Sequence, residues 1–479
     1  MTEKNVDYLG RRYNYYSPGK KERFKNIGDA LSLKGDAENF INPSSVLSFM
    51  MKNYIIGDET LVKGIKREPW MHEYDDSSSS FNECHLPKHS NIVMEASDIG
   101  LRLKELLLDE VRGFLEGKQS IGVLLSGGMD SRVAAGIIRE LQVRGEYLGD
   151  VVALTWGITE TRDVRYASEI AKLFKWEFVH FPLSADLLID NITLTAEMGA
   201  EFSPLHLHAM HDISKVKGLD GILAGSYGDS VGRAEFSGVK VDQIKSILDS
   251  DFNKFGLLSS AVEKDFMNNI SFEVDKYRSQ FPRECDWQYY EIERQCHYMR
   301  RQLSACMDLI DDRIPLYQMF TAPSVFGFMW SLSPECRNDD VYVEVLKTLP
   351  GNLLSIPWAR DGKIYPSTGL AMDELQTSHN LYGLWLRRDC SELINNALCS
   401  DALERINLFN PYTLKAIKNS WKKSKLNSAD RLDERVAWMA SLSIFIDKYN
   451  IQASTDYDAT ATDFVRSAQG KMYSYIYRT

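Results

Sequence analysis

Between residues 120 and 225 the chain alternates short apolar runs with stretches of helical spacing, and this alternation restricts the fold more than any other feature. "SIGVLL" reads as a strand and "DSRVAAGIIREL" as a helix with Val133, Ile137 and Leu141 on one face. "VVALTWG" (Val151 to Gly157) is a second strand, and "DVRYASEIAKLF" a helix that turns Ala167, Ile170, Ala171 and Phe174 inward. "EFVHFPL" and "DGILAG" (Asp220 to Gly225) supply a third and fourth strand. Strands separated by helices of this length form βαβ units, so the fold class is α/β with a parallel sheet. A preceding helix is predicted from about Ser97, with Leu101, Leu108, Val111 and Leu115 at helical spacing and Gly117 as its stop. "YDDSSSSFNE" (Tyr74 to Glu83) carries too little apolar content to pack and reads as a loop or linker, while the chain beyond about Val241 reads mostly as helix with short connections.

Composition narrows the class. At 479 residues the chain exceeds one core and predicts two or three domains. A net charge of −11 argues against a general nucleic-acid binder, which draws on surplus Lys and Arg. No apolar run approaches the ~18–20 residues that span a bilayer, and the opening "MTEKNVDYLGRRYNYY" has no signal-peptide core, so a cytoplasmic, non-membrane protein is expected. Seven cysteines, an odd number without C-x-x-C spacing, favour buried free thiols over zinc or a disulfide framework.

The loop after the first strand carries the chemistry. Ser126-Gly127-Gly128 lies where open α/β sheets bind ligands, at a strand's carboxyl end and a helix's start. Glycines let a ligand approach the backbone, and the N–H groups opening the helix attract anions. Ser131 adds a hydroxyl donor, and Asp130 beside an anion suits a Mg²⁺ that travels with phosphates. No G-x-x-x-x-G-K-[ST] or G-x-G-x-x-G motif is present. The plain alternative is a tight strand-to-helix turn whose acid favours the helix dipole.

Three further stretches extend the pattern: "NYIIGDETLVKGIKREP" (Asn53 to Pro69), "ILAGSYGDSVG" (Ile222 to Gly232) and "DDRIPLYQ" (Asp311 to Gln318). With the first loop they resemble the asparagine synthetase-like family of the ATP-pyrophosphatase superfamily, over roughly residues 53–366. The resemblance implies an adenine-nucleotide α-hydrolase-like sheet with flanking helices over 91–370. A degenerate glutaminase-like region would occupy 1–90, and a helical segment 371–479. It implies that Asp130 and Asp229 hold Mg²⁺, that Ser126, Gly127, Gly128 and Ser131 hold the β- and γ-phosphates of ATP, and that Leu125, Trp156 and the Ala224-Gly225 backbone line the nucleotide pocket. Family members adenylate a carboxylate, and an amine then displaces AMP to give an amide. The resemblance also implies a lysine that stabilises this transition state; "IPWARDGKIYP" offers Arg360 and Lys363, though the same residues suit a surface turn.

The sequence departs from that pattern. Thr2 stands where glutamine-hydrolysing members have a cysteine, and the first cysteine is Cys84, so glutaminase activity is not expected. Ser226 and Tyr227 replace the usual Glu and Gly of the second loop, and Ser230 replaces a second acid. Tyr227 has a counterpart in the catalytic tyrosine of the β-lactam synthetase and lasso-peptide cyclase branches, which keeps an intramolecular cyclase open beside intermolecular amidation. A non-catalytic nucleotide-binding scaffold is the third reading. Implied partners are a small-molecule or peptide carboxylate and an ammonia or amine donor, which another protein could deliver; a homodimer is compatible with the sequence.

Arg132 is expected to reach a phosphate or to be solvated. His208 and His211 share a helix face at i, i+3, with ordinary packing as the default, a substrate-pocket role next and zinc last. Arg294, Arg300 and Arg301 read as a solvated helix face or an anion site, and "KNSWKKSK" around Trp421 as a basic surface helix.

Overall fold

In the computed structural model, residues 8–10, 14–32, 38–249, 253–421 and 429–476 are described; Thr2 and most of the basic stretch after Trp421 lie outside them. The alternating segment builds one five-stranded parallel sheet: β1 (Ser120–Leu124), β2 (Asp150–Gly157), β3 (Glu177–Pro182), β4 (Gly221–Ala224) and β5 (Leu316–Gln318). Its spatial order is β5-β4-β1-β2-β3, with Leu124 level with Leu154 on one side and Ala224 on the other. The chain leaves β1 toward β2 and β3, then returns to lay β4 on the opposite edge of β1. Such a reversal opens a crevice at the carboxyl ends of the two adjoining strands. Three-residue β5 lies inside "DDRIPLYQ", too short to show a period in the sequence.

The flanking helices are α1 (Ala96–Leu115), α2 (Met129–Val143), α3 (Arg162–Phe174), α4 (Ala185–Glu197), α5 (Asp339–Lys347) and α6 (Arg431–Lys448). Val133, Ile137 and Leu141 of α2, and Ala167, Ile170, Ala171 and Phe174 of α3, are buried against the sheet as their spacing predicts. Leu101 departs from expectation at 54% exposed. Helix α5 crosses α1 at Gly100, where a Cβ would come 2.8 Å from Glu344 Cβ, and Leu101 projects about 100° round the helix from that contact.

The stretch Tyr74 to Glu83 is an antiparallel hairpin, not a linker: His72–Asp75 pairs with Ser80–Glu83. Asp75 accepts hydrogen bonds from Ser77 and Ser78 to hold the turn, and Phe81 packs edge-on against Tyr16 and Tyr74 at 4.9 and 5.0 Å. Residues 356–381 are turns rather than helix, broken by Pro357, Pro366 and the positive-φ Gly362 and Gly369.

Early and late parts of the chain share a core. Val46, Leu47 and Phe49 of the helix Pro43–Lys52 bury against α6, with Phe49 and Trp438 stacked at 3.9 Å. Asn39–Phe40 pairs in parallel with Ile451–Gln452. Of the three arginines expected on a solvated face, Arg294 is half-buried and donates to the Lys245 carbonyl at 3.0 Å, whereas Arg300 and Arg301 are buried. Arg300 pairs with Asp58 at 2.9 Å and Arg301 with Glu201 at 2.8 Å, both on the wide-turned helix Arg294–Leu303. Arg300 also reaches the carbonyl of Glu68, and Arg301 those of Gly57 and Glu59. Their partners lie a hundred or more residues away, so local spacing cannot reveal them. Trp421 is likewise buried. Of the cysteines, all free, Cys296, Cys306 and Cys390 are buried and Cys399 is exposed. Among the described residues no helix is long and apolar enough to cross a membrane.

Candidate active site

The β1–α2 loop lies over the crevice between β1 and β4. Gly128 caps α2, so the N–H groups of the helix's first turn have no intrahelical acceptor and face outward. The loop itself is stapled by Ser131, whose Oγ donates to the Ser126 carbonyl at 2.9 Å and accepts from Ser126 N–H at 3.1 Å. Gly128 N–H donates to Ser126 Oγ at 3.1 Å, and Gly127 N–H to Asp163 Oδ1 at 3.1 Å. The two serines expected to meet phosphate thus first shape the loop. Gly127 leaves no room for a side chain: a Cβ would lie 2.6 Å from Ala359 Cβ.

The second loop reaches the first because β4 neighbours β1. A Cβ on Gly225 would fall 2.5 Å from the Asp130 carbonyl oxygen, and one on Gly228 2.7 Å from Asp130 Cγ. The two loops touch through glycine, which places Asp130 and Asp229 in one electrostatic neighbourhood. Burial raises the Asp130 carboxyl to about 7; Arg233 opposes the rise and Asp229 adds to it. Burial also raises Asp229, again against Arg233. Asp130 Oδ1 is buried without a hydrogen bond. No group of three or more metal-ligating side chains occurs among the described residues. Two carboxylates with an orphaned oxygen suit Mg²⁺ arriving with phosphates, since that ion takes one or two carboxylates and keeps phosphate or water in its other positions.

The remaining expected residues divide. Ser226 is half-buried at the mouth of the second loop, whereas the Tyr227 ring is 6% exposed and packs within the hydrophobic core, its backbone left-handed at φ 69°. Ala224 ends β4 under the loop, fully buried. The stretch with Arg360 and Lys363 is a turn, as its composition predicts, and it lies on the first loop: Ala359 N–H donates to the Gly127 carbonyl at 3.2 Å, and Trp358 N–H to Lys363 O at 2.7 Å. Arg360 is exposed with its guanidinium 5.3 Å from the Trp358 ring centroid, and Lys363 is half-buried. Arg132 neither binds an anion site nor meets solvent. At 2% exposed, it donates to the carbonyls of Leu353, Ile356, Pro357 and Gly127, tying that turn to the loop. Four carbonyls converging on one fork leave it no role at a phosphate.

Beside the loop is a cavity of about 260 Å³ lined by Leu125, Ser126, Trp156, Asp163, His208 and His379. The first three were expected at the nucleotide site and His208 was weighed as a pocket residue; Asp163 and His379 were not. Ala224 and Gly225 do not line it. Asp163 opens α3, and His379 belongs to a strap whose Asp373, Gln376 and Thr377 bind Arg162 and whose His379 carbonyl accepts from Ile158 N–H at 2.9 Å. Burial raises the Asp163 carboxyl, while His379, the Gly127 N–H and Arg132 oppose it. Burial holds His208 well below its ordinary value and His206 down at about 4, so these rings are neutral. His208 and His211 share no helix face: a 3₁₀ turn (Pro204–Leu207) ends at His208, whose φ is 46°. His208 Nδ1 instead meets Tyr382 Oη at 2.9 Å, and its ring lies 6.3 Å from Trp156.

The site thus joins an α/β sheet, a glycine cradle at the switch point, two acids across it and a polar cavity alongside, an arrangement suited to an anionic ligand. The family model for asparagine synthase matches residues 102–269, the stretch that contains four of the five sheet strands and both loops. No curated protein matches the chain. Among solved structures it is similar to a predicted tRNA methyltransferase subunit from Methanocaldococcus jannaschii, at 18% identity over 27% of this chain and 62% of that one, TM-score 0.17. It is also similar to the U34-tRNA thiolase NcsA of Methanococcus maripaludis, at 15% identity over 47% of this chain and 83% of that one, TM-score 0.23. A third is the NMN synthetase of Francisella tularensis, at 12% identity over 50% of this chain and 94% of that one, TM-score 0.21.

Proposed function

We propose that the chain is an ATP-dependent, AMP-forming ligase that activates a substrate carboxylate and joins it to nitrogen as an amide. One observation carries the reading: Asp130 and Asp229, on neighbouring loops, are brought together over an open helix N-terminus by Gly225 and Gly228, which pack against Asp130. A dead scaffold has no use for two half-buried acids set together beside an anion cradle at a cost in desolvation.

In the proposed reaction a carboxylate oxygen attacks the α-phosphorus of ATP, the bond to the bridging oxygen breaks, and pyrophosphate leaves. The amine nitrogen then attacks the acyl carbon, the bond to AMP breaks, and the nitrogen's proton passes to solvent. The α2 N–H groups receive charge gathering on the pyrophosphate, and the cavity walled by Leu125 and Trp156 takes the nucleoside. Asp130 and Asp229 would hold Mg²⁺, which when bound shields the triphosphate and stabilises the departing charge. Lys363 and Arg360, carried on the turn that rests on Gly127, are the candidate cations for the acyl-phosphate centre. Ammonia or a substrate amine serves as nucleophile. The buried Tyr227 ring gives the cyclase version no particular support.

Exchange of labelled pyrophosphate into ATP, screened over carboxylic acids, tests the reading. Exchange that depends on one acid and vanishes in Asp130→Asn supports it; no exchange with any acid, together with no binding of Mg·ATP, refutes it.

A further inference from the structure

Arg233 has no place in the reaction just described, yet it is the cation nearest the acid expected to hold metal. It follows the short wide-turned helix Gly228–Gly232, four residues after Asp229, and is 6% exposed. One guanidinium nitrogen, Nη2, lies 3.3 Å from both Oδ1 and Oδ2 of Asp130, at the long end of hydrogen-bonding range and in bonding alignment with Oδ2. The other, Nη1, donates to Asp339 Oδ1 at 2.7 Å, a firmer contact on the first turn of α5. The fork lies over the Tyr342 ring, Cζ 5.3 Å from its centroid, and its Nε is buried without a hydrogen bond. Tyr342 is itself fixed, its hydroxyl donating to Gly228 O at 2.7 Å.

The arrangement is lopsided. Arg233 holds Asp339 well and Asp130 loosely, and it has an N–H to spare. A divalent ion bound by Asp130 would place two like charges against one carboxylate in a buried site, where repulsion is weakly screened. The loose contact is the one that gives way, because Asp339 and the Tyr342 face still anchor the side chain. Arginine's planar fork then has donors free beside the loop, a geometry suited to phosphate oxygens.

Building on the metal-and-loop reading above, we propose that Arg233 is a displaceable counter-ion. It neutralises Asp130 until a divalent cation binds there, then stays on Asp339 and turns its released N–H groups to the pyrophosphate.

The test uses the full chain stripped of metal by chelator, with free Mn²⁺ followed by electron paramagnetic resonance. Arg233→Met should bind Mn²⁺ roughly ten-fold more tightly than wild type, because the competing cation is gone, and Arg233→Lys should fall between the two. Asp339→Asn should bind Mn²⁺ several-fold more weakly, because Arg233 loses its other anchor and clings to Asp130. Inorganic pyrophosphate with Mg²⁺ should bind Arg233→Met about ten-fold more weakly. Unaltered Mn²⁺ affinity in both Arg233→Met and Asp339→Asn overturns the proposal alone. If wild type binds no Mn²⁺ at all, the metal reading falls and the counter-ion role with it.

Discussion

Gly127 N–H donates to Asp163 Oδ1 at 3.1 Å, so a carboxylate already sits on one donor of the loop expected to grip pyrophosphate. A phosphate must share or replace that carboxylate, and two anions a few ångströms apart in a half-dry site repel. Asp163→Asn should therefore tighten Mg·ADP binding by about 1–2 kcal/mol, roughly ten-fold, by calorimetry at pH 8. Because burial raises the Asp163 carboxyl, wild-type affinity should climb as pH falls and the group is neutralised, while the variant's dependence is flatter. Weaker binding in Asp163→Asn would instead make the residue a structural prop of the loop.

The Asp130 carboxyl gives the fold a pH signature. Its value is raised by burial to about 7 from 3.8, so the folded chain holds a proton that the unfolded chain has released. The associated stability is complete below about pH 4 and is lost as pH rises through 7. In chelator, wild type should lose on the order of 2–4 kcal/mol across that window relative to Asp130→Asn, which lacks the titration. Parallel melting curves for the two proteins from pH 4 to 8 would contradict this.

These two acids also mark how far the sequence can be read. The strand, S-G-G-x-D-S and helix are contiguous, and the helix start that makes the anion site is a local property, so the loop is legible. Asp229 is legible because its loop follows the next strand to pair with β1. Asp163 and His379 are not, and His208 is so only as an alternative to ordinary packing, since the three meet only when α3, a 3₁₀ turn and a distant strap converge on one cavity. Arg233 leaves a faint signal, a cation four residues after an expected metal ligand. Arg300 and Arg301 mislead because charge in a helical pattern usually means solvent, and nothing local announces Asp58 or Glu201.

Arg132 should prove structural. Its guanidinium donates to four backbone carbonyls from two segments, and Arg132→Met would remove those bonds, leaving the Gly127 carbonyl only its bond from Ala359 N–H. A loss of about 3 kcal/mol is expected in denaturant unfolding, with little rescue by Arg132→Lys, which lacks the fork. Loss of nucleotide binding at wild-type stability would instead return Arg132 to the phosphate site.

Asp58 anchors the early segment to the core. Its buried carboxyl accepts from Arg300, Lys276 and the Tyr277 hydroxyl; despite burial, Arg300 and Lys276 hold it well below the usual carboxylate range. Its contribution is present above the ordinary value of 3.8 and lost only as pH falls toward the depressed one. Asp58→Asn should cost about 3–5 kcal/mol at pH 7, read as a fall in melting temperature, because it strands buried cations. A change under 1 kcal/mol would show the pair to be dispensable, as exposed ones are (~0–1 kcal/mol).

The most direct test is titration calorimetry of a non-hydrolysable ATP analogue with Mg²⁺ into wild type and Asp130→Asn at pH 8, where the Asp130 carboxyl is ionised. Binding to wild type should fall about thirty-fold, roughly 2 kcal/mol, in a variant that is fully folded at this pH. Equal affinity in the two proteins, or binding indifferent to Mg²⁺, would contradict it.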